Sequence, residues 1–317
     1  RIGHRLQKVN DELVLHIEHK ESSSTQSLRL ALHYDDLFRT AALINFTKKG
    51  VLFKNDIASL DFILGDNIRY DFDYYIDKGF YWSVGVNSSY TSFEQGVSAR
   101  LIEDLRDIPL DGINRVSLNY QDLTNRIYVQ TLLAKQFTFD IGIQHKFLDI
   151  ETETVVSTNE EETAVIFERS NLGGLYSQLK YDSLDNKYFP NSGVLFDADF
   201  DLFLASSDYN NDFTEFGVAN ARIKYAGSIG NVFTATVEAA GGFKVGGADN
   251  NSLDFFLGGY GAKKVNNIVP FLGYDYLSIA GDGYVKALFE IDFEVFPKNH
   301  LNLSANFANV GYDIFDN

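Results

Sequence analysis

The chain contains no cysteine and no methionine, and only 4 of its 317 residues are proline. Without cysteine there is no disulfide, no thiolate metal site and no cysteine nucleophile. That absence suits a protein that crosses the periplasm unfolded. Position 1 is Arg rather than Met, so the expectation is a piece of a longer protein, with no signal peptide to look for. Few prolines beside 25 glycines argue against disorder and against collagen-like sequence. No apolar run approaches the ~20 residues that a membrane-crossing helix needs. Basic runs are missing too. Lys48-Lys49 and Lys263-Lys264 are too short to grip phosphate, and the net charge is -17, so no nucleic-acid partner is expected. No G-x-S-x-G elbow occurs, and Gly246-Gly247 and Gly258 to Gly261 lack the helix and Lys-Ser/Thr of a phosphate loop. His16 and His19 fall on opposite strand faces and cannot ligate together. The chain is therefore read as a non-enzyme, with no catalytic residue, cofactor or metal.

What is present is alternation. The composition is 45% hydrophobic and 15% aromatic, with 27 Phe and 18 Tyr. Around Tyr181 to Gly193, Leu175, Ser177, Leu179 and Tyr181 alternate with Tyr176, Gln178, Lys180 and Asp182. Beyond the turn, Val194, Phe196, Ala198, Phe200, Leu202 and Leu204 alternate with Leu195, Asp197, Asp199, Asp201 and Phe203. A side-chain period of two predicts strands with one apolar and one polar face. The same pattern recurs from Leu28 to Tyr34 through Val285 to Val295 and Leu301 to Phe307. That gives about thirteen strands, each near the ~10 residues that cross a bilayer with tilt. Phe93 to Ile113, Glu151 to Glu168 and Lys244 to Asp282 break the period and are read as long loops. Short turns at Asp77-Lys78-Gly79, Ala134-Lys135-Gln136, Asp185 to Gly193 and Gly227 to Gly230 alternate with them.

A soluble sandwich also alternates. Short turns on one rim, long loops on the other and aromatics near strand ends (Tyr34, Phe46, Trp82, Tyr225, Phe233, Phe307) favour a membrane barrel. A mean hydropathy of -0.15 is compatible, because only every second residue of a barrel strand meets lipid. The expected fold is therefore all-β, a transmembrane antiparallel β-barrel. Asp197, Asp199 and Asp201 could hold a divalent cation by spacing, but a solvated acidic ladder is the plainer reading.

The segment Asp182-Ser183-Leu184-Asp185-Asn186-Lys187-Tyr188-Phe189-Pro190-Asn191-Ser192-Gly193 resembles the D-x-x-D-N-x-x-F-P-x-x-G turn of the bacterial surface antigen barrels. These form the outer-membrane assembly-factor and two-partner-secretion translocator superfamily. The motif positions are Asp182, Asp185, Asn186, Phe189, Pro190 and Gly193. Phe255 to Gly261 resembles the F-x-x-G-G segment that opens a loop folded back into the lumen. In that resemblance, either Gly259-Tyr260, after Gly258, or Gly273-Tyr274 is the remnant of the family's Gly-aromatic tip. Glu290, Asp292 and Glu294 line the lumen beside the returning loop, either anchoring its tip or simply facing water. The family loop carries an Arg at its tip; no Arg occurs from Ala226 to Asn317, which leaves Lys263 or Lys264 to supply charge.

Leu13 to Glu21 resembles the last strand of a periplasmic polypeptide-transport-associated domain. The resemblance thus implies residues 1–25 as the end of that domain with its linker, and 26–317 as the barrel. It implies a barrel of about 16 strands, the last three lying beyond Asn317. Leu43 to Thr47 and Arg69 to Tyr75 look most like the barrels of bacterial patatin-like phospholipases. The expected location is the outer membrane of a Gram-negative bacterium. The expected partners are outer-membrane lipid, an unfolded polypeptide or a fused lipase domain, and a second copy in a homodimer. The implied function is polypeptide translocation or insertion. A passive pore, or a membrane anchor for an enzyme domain, is the alternative.

Overall fold

The computed structural model describes the chain except at residues 1, 10–11, 20–24, 36, 80–81, 102–113, 135, 153–155, 159–160, 164–165, 208–212, 231–232, 247–252, 261–266, 297–298, 313 and 315–317. Two N-terminal strands, β1 (Ile2–Val9) and β2 (Glu12–His19), pair only with each other. The main sheet opens with β3 (Gln26–Asp35), β4 (Arg39–Lys49), β5 (Asp56–Gly65) and β6 (Arg69–Ile76). It continues through β7 (Ser83–Ser98), β8 (Arg115–Ala134) and β9 (Phe137–Thr152). A small hairpin, β10 (Val156–Thr158) with β11 (Glu161–Thr163), interrupts it. Then come β12 (Ile166–Asp182), β13 (Ser192–Ser207), β14 (Phe216–Ile229) and β15 (Phe233–Gly246). A three-stranded sheet of β16 (Phe255–Leu257), β17 (Ile268–Val269) and β18 (Ile279–Gly281) lies in the next connection. β19 (Gly283–Phe296) and β20 (Asn299–Gly311) end the chain.

The main sheet has 13 strands, each hydrogen-bonded to the next along the chain, from β3 to β20. Its pairs are all antiparallel, so it is a meander and not two packed sheets. β3 and β20 stand at its two ends and do not pair with each other. The meander runs between two rims. The chain turns at one rim, the turn rim, after β4, β6, β8, β12, β14 and β19, and at the other, the loop rim, after β3, β5, β7, β9, β13 and β15.

Several boundaries differ from the sequence expectation. Phe93 to Ser98, read as loop, continues β7 on a regular ladder with β8. Thr152 still belongs to β9, and β10 and β11 lie within the expected acidic loop. The segment 244–282 holds three short strands. The strand expected from Phe80 begins only at Ser83, and residues 80–81 lie outside the described part. The loop rim is also less uniform than expected, since 36–38 and 66–68 are tight turns there.

The two faces of the sheet invert the rule for a water-soluble protein. One face exposes Leu30, Ile127, Ile143, Tyr225, Val237, Phe289, Ile291, Leu303 and Phe307. The opposite face buries Asp122, Thr124, Asp140, Gln144, Lys146, Glu238 and Lys286. In water, that much exposed apolar surface would be covered by association. Against lipid it is the stable arrangement, with charge kept inside. The outward apolar run of β19 goes from Val285 to Val295. At about 3.3 Å per residue and a tilt of about 40°, it rises about 25 Å, matching the ~25 Å apolar band of an outer-membrane barrel.

Candidate functional site

The nine-residue turn between β12 and β13 is built from its own side chains. Ser183 and Val194 close the strand end, with Val194 N donating to Ser183 Oγ at 2.9 Å and Ser183 Oγ donating to Val194 O at 3.0 Å. Asp182 Oδ1 accepts from Leu184 N at 3.2 Å. Asp185 Oδ1 accepts from Asn191 N at 2.8 Å and Ser192 N at 3.2 Å. Asn186 Oδ1 accepts from Tyr188 N and Phe189 N. Orphan backbone donors of an irregular turn are thus satisfied within the turn. The amides of Ser192 and Asn191 hold the Asp185 carboxyl below the usual carboxylate range, against a smaller opposing effect of desolvation. Gly193 has φ +115°, and a Cβ there would lie 2.3 Å from Ser183 O. Only glycine fits.

The last residues of the motif look outward from the turn. Phe189 stacks on the His300 ring of β20, with centroids 3.9 Å apart and planes 13° from parallel. His300 Nδ1 lies 2.7 Å from Asp292 Oδ2. Asn191 O accepts from Ser228 Oγ at 2.8 Å, and Asn191 Oδ1 accepts from Thr234 Oγ1 at 3.1 Å. Pro190 is buried. The turn therefore reaches from β12–β13 past β14 and β15 to the far end of the sheet.

At the loop rim, the connection between β15 and β19 folds onto the inner face. Leu253, Phe255, Leu257, Ile268, Val269, Phe271 and Leu277 pack against wall residues that include Phe93, Val116, Leu118, Leu148, Leu172, Phe203, Phe216 and Tyr284. Wall strands from β7 to β19 meet in one cluster, which requires the sheet to curve around it. Gly258 and Gly259 allow the close crossing. A Cβ on Gly258 would lie 1.8 Å from Asp275 O, and one on Gly259 would strike the Tyr276 ring. The Gly259-Tyr260 and Gly273-Tyr274 segments lie side by side, with Gly259 N donating to Tyr274 O at 2.8 Å. Tyr260 and Tyr274 remain exposed. They line an open groove of about 390 Å³ with Arg39, Gln95, Leu272 and Asp275.

Several described contacts tie the loop to the wall. Lys286 Nζ donates to Pro270 O at 3.0 Å. Asn306 brackets Leu272, accepting from its N at 2.7 Å and donating to its O at 3.3 Å. Arg115 of β8 faces Asp275 at 3.5 Å. In this pair the acid is on the loop and the arginine on the wall. Lys244 pairs with the fully buried Asp254, which also accepts from Tyr312 Oη at 3.2 Å. Burial pushes the Asp254 carboxyl up, more than Lys244 and Tyr312 pull it down. Glu290, Asp292 and Glu294 lie on β19 beyond Lys286, toward the turn rim. Of these, Asp292 Oδ2 lies 2.7 Å from His300 Nδ1. Lys263 and Lys264 lie outside the described residues.

Below the cap, the inner face carries cross-strand pairs. Lys146 Nζ lies 2.6 Å from Asp122 Oδ2 with both side chains buried. Arg126 meets Asp201 at 3.4 Å and stacks over the Tyr176 ring at 4.5 Å. Arg222 meets Asp197 at 3.6 Å, Asn220 donates to Asp199 at 3.0 Å, and Lys286 meets Glu238 at 3.5 Å. The Asp197-Asp199-Asp201 row is thus matched by bases and amides, and no metal-binding cluster occurs among the described residues. These partners were hidden from the sequence because they lie far apart in it.

A model of the OMP85 superfamily matches residues 13–317. None of the curated proteins compared gives a significant match. Among solved structures, BamA from Haemophilus ducreyi lacking POTRA domains 1–3 aligns with TM-score 0.66 at 13% identity. That alignment covers 99% of this chain and 63% of the BamA chain. CdiB from Escherichia coli aligns with TM-score 0.58 at 11% identity, over 97% of this chain and 55% of its own. CdiB from Acinetobacter baumannii aligns with TM-score 0.52 at 14% identity, over 98% and 55%. The chain thus spans 55% to 63% of the length of these structures.

Proposed function

The chain belongs to the OMP85 superfamily, and from that premise we propose that it inserts or secretes polypeptide by pairing an extended substrate segment with the edge strand β3. It is an outer-membrane protein of a Gram-negative bacterium. The observation that supports the reading is β3 itself. Its partner on one side is β4, in register from Gln26↔Lys48 to Asp35↔Arg39. Its other edge carries no strand among the described residues. From Leu28 to Tyr34, the residues of both its faces are exposed. A strand at the end of a sheet is a template for strand addition. Antiparallel pairing there would satisfy the ladder of an incoming segment before its side chains are sorted.

A photo-crosslinker placed at Arg29 or Ala31 in living cells tests this. The expected adducts join the protein to polypeptides in transit. Adducts confined to lipid or to another strand of the same chain would remove the proposal. A passive pore fits less well, because the Leu253 to Tyr284 packing stands across the inner space at the loop rim. The fused patatin-like lipase stays part of the proposal for the whole protein, supported by the likeness of Leu43 to Thr47 and Arg69 to Tyr75. A G-x-S-x-G segment upstream in the full reading frame is its test, and a frame without one would sink it.

A further inference from the structure

The turn between β4 and β5 does something the rest of the acidic surface does not. Its sequence is Lys48-Lys49-Gly50-Val51-Leu52-Phe53-Lys54. Three consecutive large apolar side chains are exposed at the tip, Leu52 most of all at 73%. They are held out and do not dangle. The Asp56 carboxylate accepts from Val51 N at 2.6 Å, Leu52 N at 2.8 Å and Phe53 N at 2.8 Å. Asp56 is itself buried, with Tyr74 Oη donating to it at 2.6 Å. Asp56 N–H and C=O also close the turn onto Phe53 O and Gly50 N. Asp56 is thus occupied in shaping the tip, and the other acid nearby, Asp77 of the next turn, donates its N–H to Asn55 O at 2.9 Å and accepts from Gly79 N at 2.7 Å.

The neighbourhood fits one kind of partner. Lys49 and Lys54 are exposed beside the tip, and Lys78 is exposed in the next turn, where Trp82 is half exposed. Lys48 shares the outward face with Phe46, which pairs with Leu60 on the lipid-facing side of β5. The apolar tip therefore continues the lipid-facing surface by a few residues past its end. In a chain of net charge -17, this corner gathers four lysines around an apolar point. Lysine stems lie along apolar surface while their ammonium groups reach phosphate, and tryptophan favours the same depth. Charge attraction and apolar insertion together are what holds a peptide to an anionic bilayer surface.

We propose that Val51-Leu52-Phe53 inserts into the leaflet at the turn rim and that Lys48, Lys49, Lys54 and Lys78 bind anionic phospholipid headgroups there. The contact pins the β3–β5 side of the wall, next to the edge strand, at a fixed depth. The inference rests on the membrane placement of the sheet and not on polypeptide handling, so the two can fail separately.

The test uses the full protein with Leu52→Cys, labelled with a polarity-sensitive dye and reconstituted in vesicles. One set is zwitterionic phosphatidylcholine; the other includes phosphatidylglycerol. Heat-modifiable migration in gels verifies folding of every variant. The expected result is a dye embedded at headgroup depth in the anionic vesicles, quenched by lipid-borne spin labels and shielded from aqueous iodide. Each Lys→Gln change at 48, 49, 54 or 78 should lower the embedded-to-exposed ratio about fivefold. Equal embedding in both vesicle types, unmoved by lysine removal, would overturn the headgroup assignment. A dye exposed in both, and shielded only after periplasmic extract is added, would overturn it in favour of a protein partner.

Discussion

Gly193 and Asp185 carry the turn that most clearly marks this chain. Gly193→Ala places a Cβ 2.3 Å from Ser183 O at a φ of +115°, and the backbone strain alone costs about 1–3 kcal/mol. The expected outcome is a lower temperature for the heat-modifiable shift, with the fold retained. Asp185 gives a pH signature. Its carboxyl is held below the ordinary range by backbone N–H donors, so its contribution is complete above the ordinary carboxylate range. It is lost as pH falls through the lowered native value. Unfolding of wild type and Asp185→Asn, compared as pH falls below about 4, should show the wild-type advantage shrinking; a widening gap would refute the assignment. This turn was legible in the sequence because all its bonds are local. The loop tip was not. Arg115 and Asp275 stand 160 residues apart, and nothing in either neighbourhood says that they meet. His300 was missed for a similar reason, since its partner Phe189 comes from another turn.

Among the elements, the wall strands were readable because lipid outside and charge inside impose a strict period of two. The same pressure explains where the reading stopped. β8 outlasts the bilayer, and above Ile127 its outer face turns polar. There Ser88 Oγ donates to Asn125 Oδ1 at 2.7 Å, and His145 lies 3.3 Å from Asn125 and 3.2 Å from Asn171. Arg169 continues the polar surface with Asp149 and Glu151 at 3.0 and 3.2 Å. Outside lipid the alternation weakens, so Phe93 to Ser98 looked like loop. β16, β17 and β18 run only 3, 2 and 3 residues, too short for any period to show. They persist because the cap buries them. The cap also makes a prediction. Asp254→Ala removes the buried carboxylate that faces Lys244 and Tyr312, a loss of up to about 3–5 kcal/mol. The cap should loosen, seen as faster protease cleavage within 253–282 and a rise in single-channel conductance over wild type. Unchanged cleavage and conductance would show that the apolar packing alone holds it.

At the scale of the molecule, thirteen antiparallel strands form one curved layer, with β3 and β20 at its ends. The count and the meander followed from the sequence, but closure into a barrel of about 16 strands is not a property of this sheet by itself. Lipid replaces the second layer that a soluble sheet would need. The edge pairing, the cap and the lysine-ringed turn all take their meaning from that placement. The most direct test is a spin-label scan along β19, from Val285 to Phe296, in reconstituted bilayers. Labels at 285, 287, 289, 291 and 293 should be accessible to oxygen dissolved in lipid. Labels at 286, 288, 290, 292 and 294 should instead meet a water-soluble nickel complex, so the two profiles run out of phase with a period of two. Profiles in phase, or oxygen access on the Glu290 and Asp292 face, would contradict the account.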